Sequence, residues 1–389
     1  MEKNIVLIST ADWDNPFWTN KQHVAMELSR LGYRILYIDS LGLRAPSLTS
    51  GDTKRIINRI KKAIKMPVHK KNELWVWSPL ILPWHKYFIV RKLNEYYLNL
   101  MIKIWCKKLG FELGEALLLT YNPITTELTD INAYKKVVYH CVDEIKEQPG
   151  MPMDFIEHGE NNLLKKADCV FVTSKALYEN KSKISKKIYY QSNVADFNHF
   201  NKAVTEDMIT PSDMEAIGGF RIIFIGAISS YKVDFDLLAF IASERPDFNI
   251  FLIGRVGEGD PNTTIEMLKK HKNIYFLGPK EYKSLPAYLQ ASDVAILPNR
   301  INKYTDNMFP MKFFEYLAAG ISIVGVKLKA LEDFEEYYYS SESYSDFLQN
   351  LDRVSHKDII SLDKRLSIAS KYTYQSRTEK MISIIDEYE

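Results

Sequence analysis

The sequence predicts two successive α/β domains, each an open parallel sheet with crossover helices. Three observations carry this. Its 389 residues are too many for one ordinary domain. Short β-rich runs alternate with longer helical patterns along the whole chain, the signature of parallel strands joined by helices. The pattern then restarts after about residue 204, past a polar stretch at 201–219 that holds Pro211 and paired glycines and reads as a linker. The expected division is 1–203 for the first domain, 204–370 for the second, and 371–389 for a terminal helix.

Composition narrows the class. Hydrophobic residues make up 46% and charged residues 26%, which describes a globular chain rather than a disordered one. The three cysteines, Cys106, Cys141 and Cys169, are far apart and form no CxxC pair, so reduced thiols in a cytosol are expected, with no zinc site. No apolar run is long enough to span a bilayer. The net charge of +2 conceals an asymmetry: residues 1–200 hold 29 Lys+Arg against 21 Asp+Glu, and the remainder 22 against 28. A basic first half suits an anionic partner.

In the first half, 4–9, 33–38, 73–77, 116–119, 136–140 and 169–173 read as strands. The stretch 21–31 has helical periodicity and stops at Gly32, a natural C-cap. After the first strand, STADWDNPFWTNKQH is rich in aromatic and polar residues. Trp13 and Trp18 are candidates to stack on sugar rings, and Asp12, Asp14, Gln22 and His23 to bond hydroxyls; packing of one tryptophan against the domain is the alternative. Residues 54–71, KRIINRIKKAIKMPVHKK, hold eight basic residues, no acid, and isoleucines on one helical face. This is the pattern of a helix lying in an anionic membrane interface, with Arg59, Lys61, Lys62 and Lys65 as its cations. A solvated helix and a nucleic-acid surface are the alternatives, but no nucleic-acid motif accompanies the charge. In KKVVYHCVDE, Asp143 falls just past a strand end. A carboxylate there serves either as general base or as N-cap of the next helix. His140 lies within the strand pattern and Glu144 beside Asp143; both are secondary candidates.

In the second half, 221–225, 249–253, 274–277, 294–297 and 322–326 read as strands. FIGAISSYKVD ends a strand at Gly226 and offers Lys232; a glycine permits close backbone approach, and a cation beside it suits a diphosphate, with an ordinary strand-to-helix turn and a solvated lysine as the alternative. Arg255 follows the next strand, and its guanidinium fork fits phosphate oxygens. FLGPKEY places Tyr282 in the loop after the third strand, where a base can sit; a plain turn is the alternative. In NRINKYTDNMFPMKFFEYLAAG, Pro310 is expected at the first helical position, Lys312 in the first turn and Glu315 one turn on. A carboxylate accepts two hydroxyl hydrogen bonds, which suits a ribose diol. A plain surface Lys–Glu pair is the alternative.

These residues carry a family resemblance. PMKFFEYLAAG resembles the donor-site signature of GT-B glycosyltransferases, FIGAISSYKVD resembles the G-R-x4-K-G-x-D element of the family 4 enzymes, and SNVADFNHF resembles their N-G-V-D-x3-F element. The resemblance covers nearly the whole chain, is nearest to the teichuronic-acid-type (TuaH-like) glycosyltransferases, and extends distantly to the xanthan glucuronosyltransferase. It implies the GT-B fold, two Rossmann-like domains facing a central cleft, with the C-terminal helix crossing back to the first domain. It implies that Lys232, Arg255 and Lys312 hold a nucleotide-sugar diphosphate, that of a UDP-sugar, that Glu315 holds the ribose, and that Gly226, Tyr282, Asn307 and Met311 complete the donor site. It aligns Asp143 with the base of the xanthan-type enzyme and places Asp12, Trp13, Asp14, Trp18 and His23 at the acceptor. Two departures stand out: Asn307 occupies the position of a family glutamate and Ala227 that of an arginine, so the anomeric outcome is left open. The implied function is metal-independent sugar transfer, without a cofactor, to a glycan or lipid-linked acceptor in cell-surface polysaccharide synthesis. The protein is expected to be cytoplasmic and peripheral on the membrane. A UDP-sugar epimerase of the same fold and a non-catalytic nucleotide-sugar-binding protein are the rivals.

Overall fold

The computed structural model describes residues 3–15, 18–42, 66–82, 84, 87–260, 262–357 and 359–387. They form two compact units. The first comprises residues 1–191 with 378–389, and the second 192–377.

In the first unit, eight strands form one sheet: β1 (Asn4–Ile8), β2 (Arg34–Ile38), β3 (Val68–His69), β4 (Leu74–Trp77), β5 (Leu117–Thr120), β6 (Lys136–Cys141), β7 (Cys169–Val172) and β8 (Ile188–Tyr190). Their order is β3-β4-β2-β1-β5-β6-β7-β8. All pairs are parallel except β3 against β4 at the edge. Every residue of β1 is buried, which is why it reads as a continuous apolar run: a central parallel strand is covered on both faces. The helix Asn20–Arg30 starts with a capping box between Thr19 and Gln22, and the chain leaves it through Gly32 at φ +86°.

In the second unit, β9 (Phe220–Ile225), β10 (Phe248–Ile253), β11 (Ile274–Gly278), β12 (Val294–Leu297), β13 (Ser322–Val326) and β14 (Tyr339–Ser341) form a wholly parallel sheet in the order β11-β10-β9-β12-β13-β14. Alternate residues of the same strands feed two separate cores. Ile223, Ile225, Phe251, Ile253, Ala295 and Leu297 face one, while Ile222, Phe224, Ile250, Leu252, Val294 and Ile296 face the other. That is the two-residue side-chain period of a strand, with both faces covered by helices.

The domain boundaries differ from expectation. The stretch 201–219 is no linker: it contains the short helices Lys202–Thr205 and Ser212–Glu215. Ala203 and Met214 on them, with Ala195 and Phe200 before them, are buried in the core of the second unit. The division therefore falls at Gln191–Ser192. Polar composition misled because each of these turns buries only one small or flexible apolar side chain. At the other end, the last helix is Tyr374–Asp386, and its residues from Thr378 onward cluster with the first unit. There the Lys136 ammonium donates to the Ile385 carbonyl.

Candidate functional site

β11, β10, β9 and β12 are neighbours in one parallel sheet, so the loops leaving their carboxyl ends lie along one edge. Ligands of open α/β sheets bind at such an edge. Gly226, Arg255, Tyr282 and Asn307 all follow those strand ends. Neighbouring strand ends pack backbone to backbone there. Gly254 has φ +150°, and a Cβ built on it would stand 1.8 Å from the Gly226 carbonyl oxygen. No other residue fits at 254 without moving the strand end. Gly226 is among the expected donor residues and Gly254 is not, although both end apolar runs in the same way.

The loop carrying Lys232 is stitched to two others. The Ile228 amide donates to Arg255, Val233 bridges Asn299, the Arg300 amide donates to the Lys232 carbonyl, and Asn302 Nδ2 donates to the Tyr231 carbonyl. The Lys232 ammonium lies 5.3 Å from the ring centroids of both Tyr231 and Tyr304. Two aromatic faces thus hold a half-buried cation at this loop. The Arg255 side chain is exposed.

A second constellation surrounds the helix Lys312–Ala318. The Lys312 ammonium and the Glu315 carboxylate pair at 2.5 Å, with the Glu315 side chain only 5% exposed and Lys312 25%. The pair is therefore not the plain surface pair of the alternative reading. Breaking a buried pair costs far more than the pair contributes to stability. Pro310 stands two residues before this helix rather than at its first position. Met311 takes the N-cap position without a side-chain cap bond, and the Phe313 amide donates to the Pro310 carbonyl in a turn ahead of the helix proper. Tyr316, fully buried, accepts the Ile225 amide through its hydroxyl oxygen at 2.9 Å, locking the helix to the end of β9. Asn193 Nδ2 donates to the Phe309 carbonyl at 2.7 Å and fixes the approach. Asn307 ends the short helix Lys303–Asp306 and donates to the Lys303 carbonyl.

Tyr282 stacks on His199, ring centroids 4.2 Å apart and planes 13° apart, and its carbonyl bonds His199 Nε2 at 2.9 Å. Burial, then the nearby Glu315 and Asp196 carboxylates, push the Tyr282 phenol well above its ordinary range. Burial pulls the His199 imidazole below its ordinary value, against the bond to the Tyr282 carbonyl and the charges of Asp196 and Glu315. So Tyr282, Lys312 and Glu315, three of the expected donor residues, form one neighbourhood with His199. His199 and Tyr316 were missed. His199 sits in SNVADFNHF, far in sequence from its partners, and only the fold brings them together.

In the first unit, Asp143 follows β6 and is half-buried. It does not begin an α-helix: a 3-10 turn, Ile145–Glu147, comes next, with Glu144 at its start, and the following α-helix is Met153–Lys166. Its flanks are pinned. Thr173 Oγ1 donates to the Val142 carbonyl at 2.8 Å, and the Ile145 amide donates to the Asp143 carbonyl at 3.0 Å. Glu144 is buried and bonds the Lys181 ammonium at 2.8 Å, which also bonds Glu160 at 2.6 Å; the Tyr139 hydroxyl donates to Glu160 at 2.8 Å. Burial raises the Glu144 carboxyl above its usual range, offset in part by Lys181. Glu144 is thus committed to an internal network and is removed as a base. His140 is fully buried, with Nδ1 3.2 Å from the Tyr121 hydroxyl, a core histidine.

Of the expected acceptor residues, Trp13 is corrected. It is buried, with ring neighbours Trp18 and Tyr37 each at 5.1 Å, and its amide donates to Asp39 Oδ1, so its role is packing. Trp18 is half-buried and edge-on to the buried His23. The Asp12 carbonyl accepts from Gln22 Nε2, and the exposed Asp14 carboxylate pairs with Lys70 at 3.2 Å. Arg59, Lys61, Lys62 and Lys65 lie outside the described residues. Among the described residues no group of three or more His, Cys, Asp or Glu is arranged to hold a metal, and no helix is long and apolar enough to cross a membrane.

Residues 219–355 match the family described as Glycosyl transferases group 1. Over 241 residues the chain is 26% identical to the putative teichuronic acid biosynthesis glycosyltransferase TuaH of Bacillus subtilis (strain 168), covering 58% of this chain and 59% of that protein. The match thus spans less than two thirds of the relative. The fold superposes on the sucrose-phosphate synthase from Thermosynechococcus elongatus with a TM-score of 0.69 at 13% identity, covering 99% of each chain. It also superposes on Anabaena Alr3699/HepE in complex with UDP and glucose, TM-score 0.65 at 13% identity, covering 99% of this chain and 100% of that one. This chain therefore has the GT-B fold of the glycosyltransferases, and its second unit carries a glycosyl transferases group 1 domain.

Proposed function

We propose that the protein transfers a sugar from a UDP-sugar to a glycan or lipid-linked acceptor in cell-surface polysaccharide synthesis. The observation that carries this reading is the Lys312–Glu315 pair, its carboxylate buried, beside Tyr282 and His199 in the unit whose strand ends meet backbone to backbone at Gly226 and Gly254. In this reading Lys312, Lys232 and Arg255 neutralise the diphosphate, and Glu315 accepts the ribose hydroxyls. Tyr282 borders the base, with Asn307 and Met311 lining the approach. No cofactor is assigned, because three cations supply the charge that a metal ion would otherwise supply. HepE, whose fold is shared, is solved with UDP and with UDP-glucose.

Asp143 is the base of the reaction in this reading. The acceptor hydroxyl oxygen attacks the anomeric carbon and loses its proton to the Asp143 carboxylate. The bond from that carbon to the phosphate oxygen breaks, and its electron pair leaves with UDP. Asp12, Asp14, Trp18 and His23 remain the acceptor-side candidates. The protein works in the cytoplasm on an anionic membrane surface.

The test is a pair of substitutions read by two assays. Asp143→Asn is expected to lower transfer by roughly 10²–10⁴-fold, the range for a lost general base, with UDP affinity unchanged. Lys312→Ala is expected to weaken UDP binding by about 1.5–3 kcal/mol while uridine binding changes little. Full transfer by the Asn variant removes Asp143 as base. Tight UDP binding with no transfer to any acceptor favours the non-catalytic rival. Conversion of the free nucleotide sugar without an acceptor favours the epimerase.

A further inference from the structure

Among the described residues of the first unit the helix Phe88–Leu109 is the longest, about 33 Å by its 22 residues. Its inner face is Asn94, Leu98, Ile102, Trp105 and Cys106, all buried. A helix with one such face normally turns polar and charged residues of both signs outward. This one does not. Its exposed residues are Phe88, Ile89, Lys92, Leu93, Tyr96, Leu100, Lys103, Ile104, Lys107 and Lys108, six large apolar or aromatic side chains and four lysines; the one acid on the helix, the half-buried Glu95, pairs with Lys92 at 2.7 Å. The apolar members Ile89, Leu93, Tyr96, Leu100 and Ile104 recur at intervals of four and three, so they form one stripe down the helix. Ile89 is 72% and Tyr96 71% exposed. Trp84 and Tyr87, both exposed, stand just before the helix and extend the patch. Single exposed apolar residues are ordinary, but a contiguous stripe is not.

We infer that this outer face is a membrane-seating surface, and that its partner is the interface of an anionic lipid bilayer. Charge complementarity selects that occupant. Lysines interleaved with an apolar stripe match a surface whose headgroups are negative and whose acyl boundary is apolar. Exposed tryptophan, tyrosine and phenylalanine at one end of the stripe suit the headgroup level, where amphipathic rings settle. A second copy of this chain is a poorer occupant, because Glu95 is already paired with Lys92 and the helix holds no other carboxylate to offset Lys103, Lys107 and Lys108 when two such faces are pressed together. The inference deepens the lipid-acceptor reading, on which the biological sense of the surface rests. The surface itself is independent of the residues assigned to donor or chemistry, and it is distinct from residues 54–65.

The experiment is flotation of the full-length protein with vesicles of phosphatidylcholine alone or mixed with phosphatidylglycerol. The parent is expected to float with the mixed vesicles only, and less so as salt rises. Leu93→Ser/Leu100→Ser/Ile104→Ser is expected to abolish flotation, and Lys92→Gln/Lys103→Gln/Lys107→Gln to weaken it on the order of 100-fold, about fivefold for each charge near the surface. Both sets are at exposed positions, and an unchanged thermal melting curve of the full-length protein checks that each variant is folded. An Arg59→Gln/Lys61→Gln/Lys62→Gln/Lys65→Gln variant, run alongside, is expected to retain the sensitivity to the serine changes. Absence of flotation by the parent, equal binding to neutral vesicles, or a serine variant that floats like the parent overturns the inference. So does a parent dimer that the serine variant converts to monomer without any vesicle binding. Vesicle binding as expected, with no lipid-linked acceptor glycosylated, leaves the seating face standing and sinks the acceptor class instead.

Discussion

Gly254 and Lys181 show how single residues set the limits of the two units. At Gly254 the constraint is steric. A methyl group there meets a backbone carbonyl at 1.8 Å, and φ +150° is strained for any side chain. Gly254→Ala is expected to destabilise the second unit by about 3 kcal/mol or more and to abolish UDP binding, measured by chemical denaturation and calorimetry. Gly226→Ala is milder, because its Cβ meets only the edge of the Phe224 ring at 3.0 Å. At Lys181 the constraint is electrostatic. One buried ammonium serves two buried carboxylates, so Lys181→Met leaves two like charges facing each other without a cation. The expected loss is about 3–5 kcal/mol. Glu144→Met/Glu160→Gln/Lys181→Met removes the charges together, keeps an acceptor for Tyr139, and is expected to recover most of that loss in a urea denaturation series. A triple variant no more stable than Lys181→Met indicates that the lysine acts by packing rather than charge.

At the scale of elements, long buried strands were the legible part. β1, β2, β9, β10, β12 and β13 announce themselves as apolar runs, since a parallel strand covered on both faces has no polar side to confuse the pattern. The short edge strands β3, β8 and β14 went unread: two or three residues carry no period, and Val68 and His69 are exposed. The donor helix was legible for a different reason, its spacing of Pro310, Lys312, Glu315 and Gly320. Its true start was not, because the Pro310 turn and the helix are separated by one residue that only hydrogen bonds distinguish. His199 illustrates the larger limit. It lies on the four-residue helix Phe197–Phe200, and its meaning comes from stacking on Tyr282, a contact between segments 83 positions apart. That contact predicts a pH response. The folded state holds His199 below its ordinary value of about 6.5, so the unfolded chain binds the proton more readily. Its contribution to stability is intact above about pH 6.5 and falls as pH drops through that value toward the depressed one. His199→Gln is expected to show a flatter dependence of the melting temperature between neutral pH and mild acid than the parent; parallel curves place the acid sensitivity elsewhere.

At the scale of the whole molecule, the division of cores makes the strongest demand. Among the described residues, the buried members of the second unit's two cores all lie between Ala195 and Ala369, within the continuous stretch 192–377. The first unit is discontinuous: it needs 1–191 and also the end of the last helix, where Lys136 meets the Ile385 carbonyl. All the donor-side residues, from Gly226 to Glu315, belong to the continuous unit. A fragment of residues 192–377 is therefore expected to fold cooperatively by itself. It is expected to bind UDP with an affinity within about tenfold of the full chain, a difference of about 1.4 kcal/mol. Because UDP binds only the folded form, saturating ligand is expected to raise the fragment's melting temperature. A fragment of residues 1–191 is expected to be less stable than the same fragment supplied with a peptide of residues 374–389, since the peptide restores the contact at Lys136. Calorimetry on the two fragments reads both outcomes. If the 192–377 fragment folds but fails to bind UDP, residues of the first unit are required for the donor, and the assignment of Lys232, Arg255, Lys312 and Glu315 as a sufficient donor site falls. If it fails to fold, the continuous cores do not suffice for stability, and the division at Gln191–Ser192 marks contact density rather than an independent folding unit.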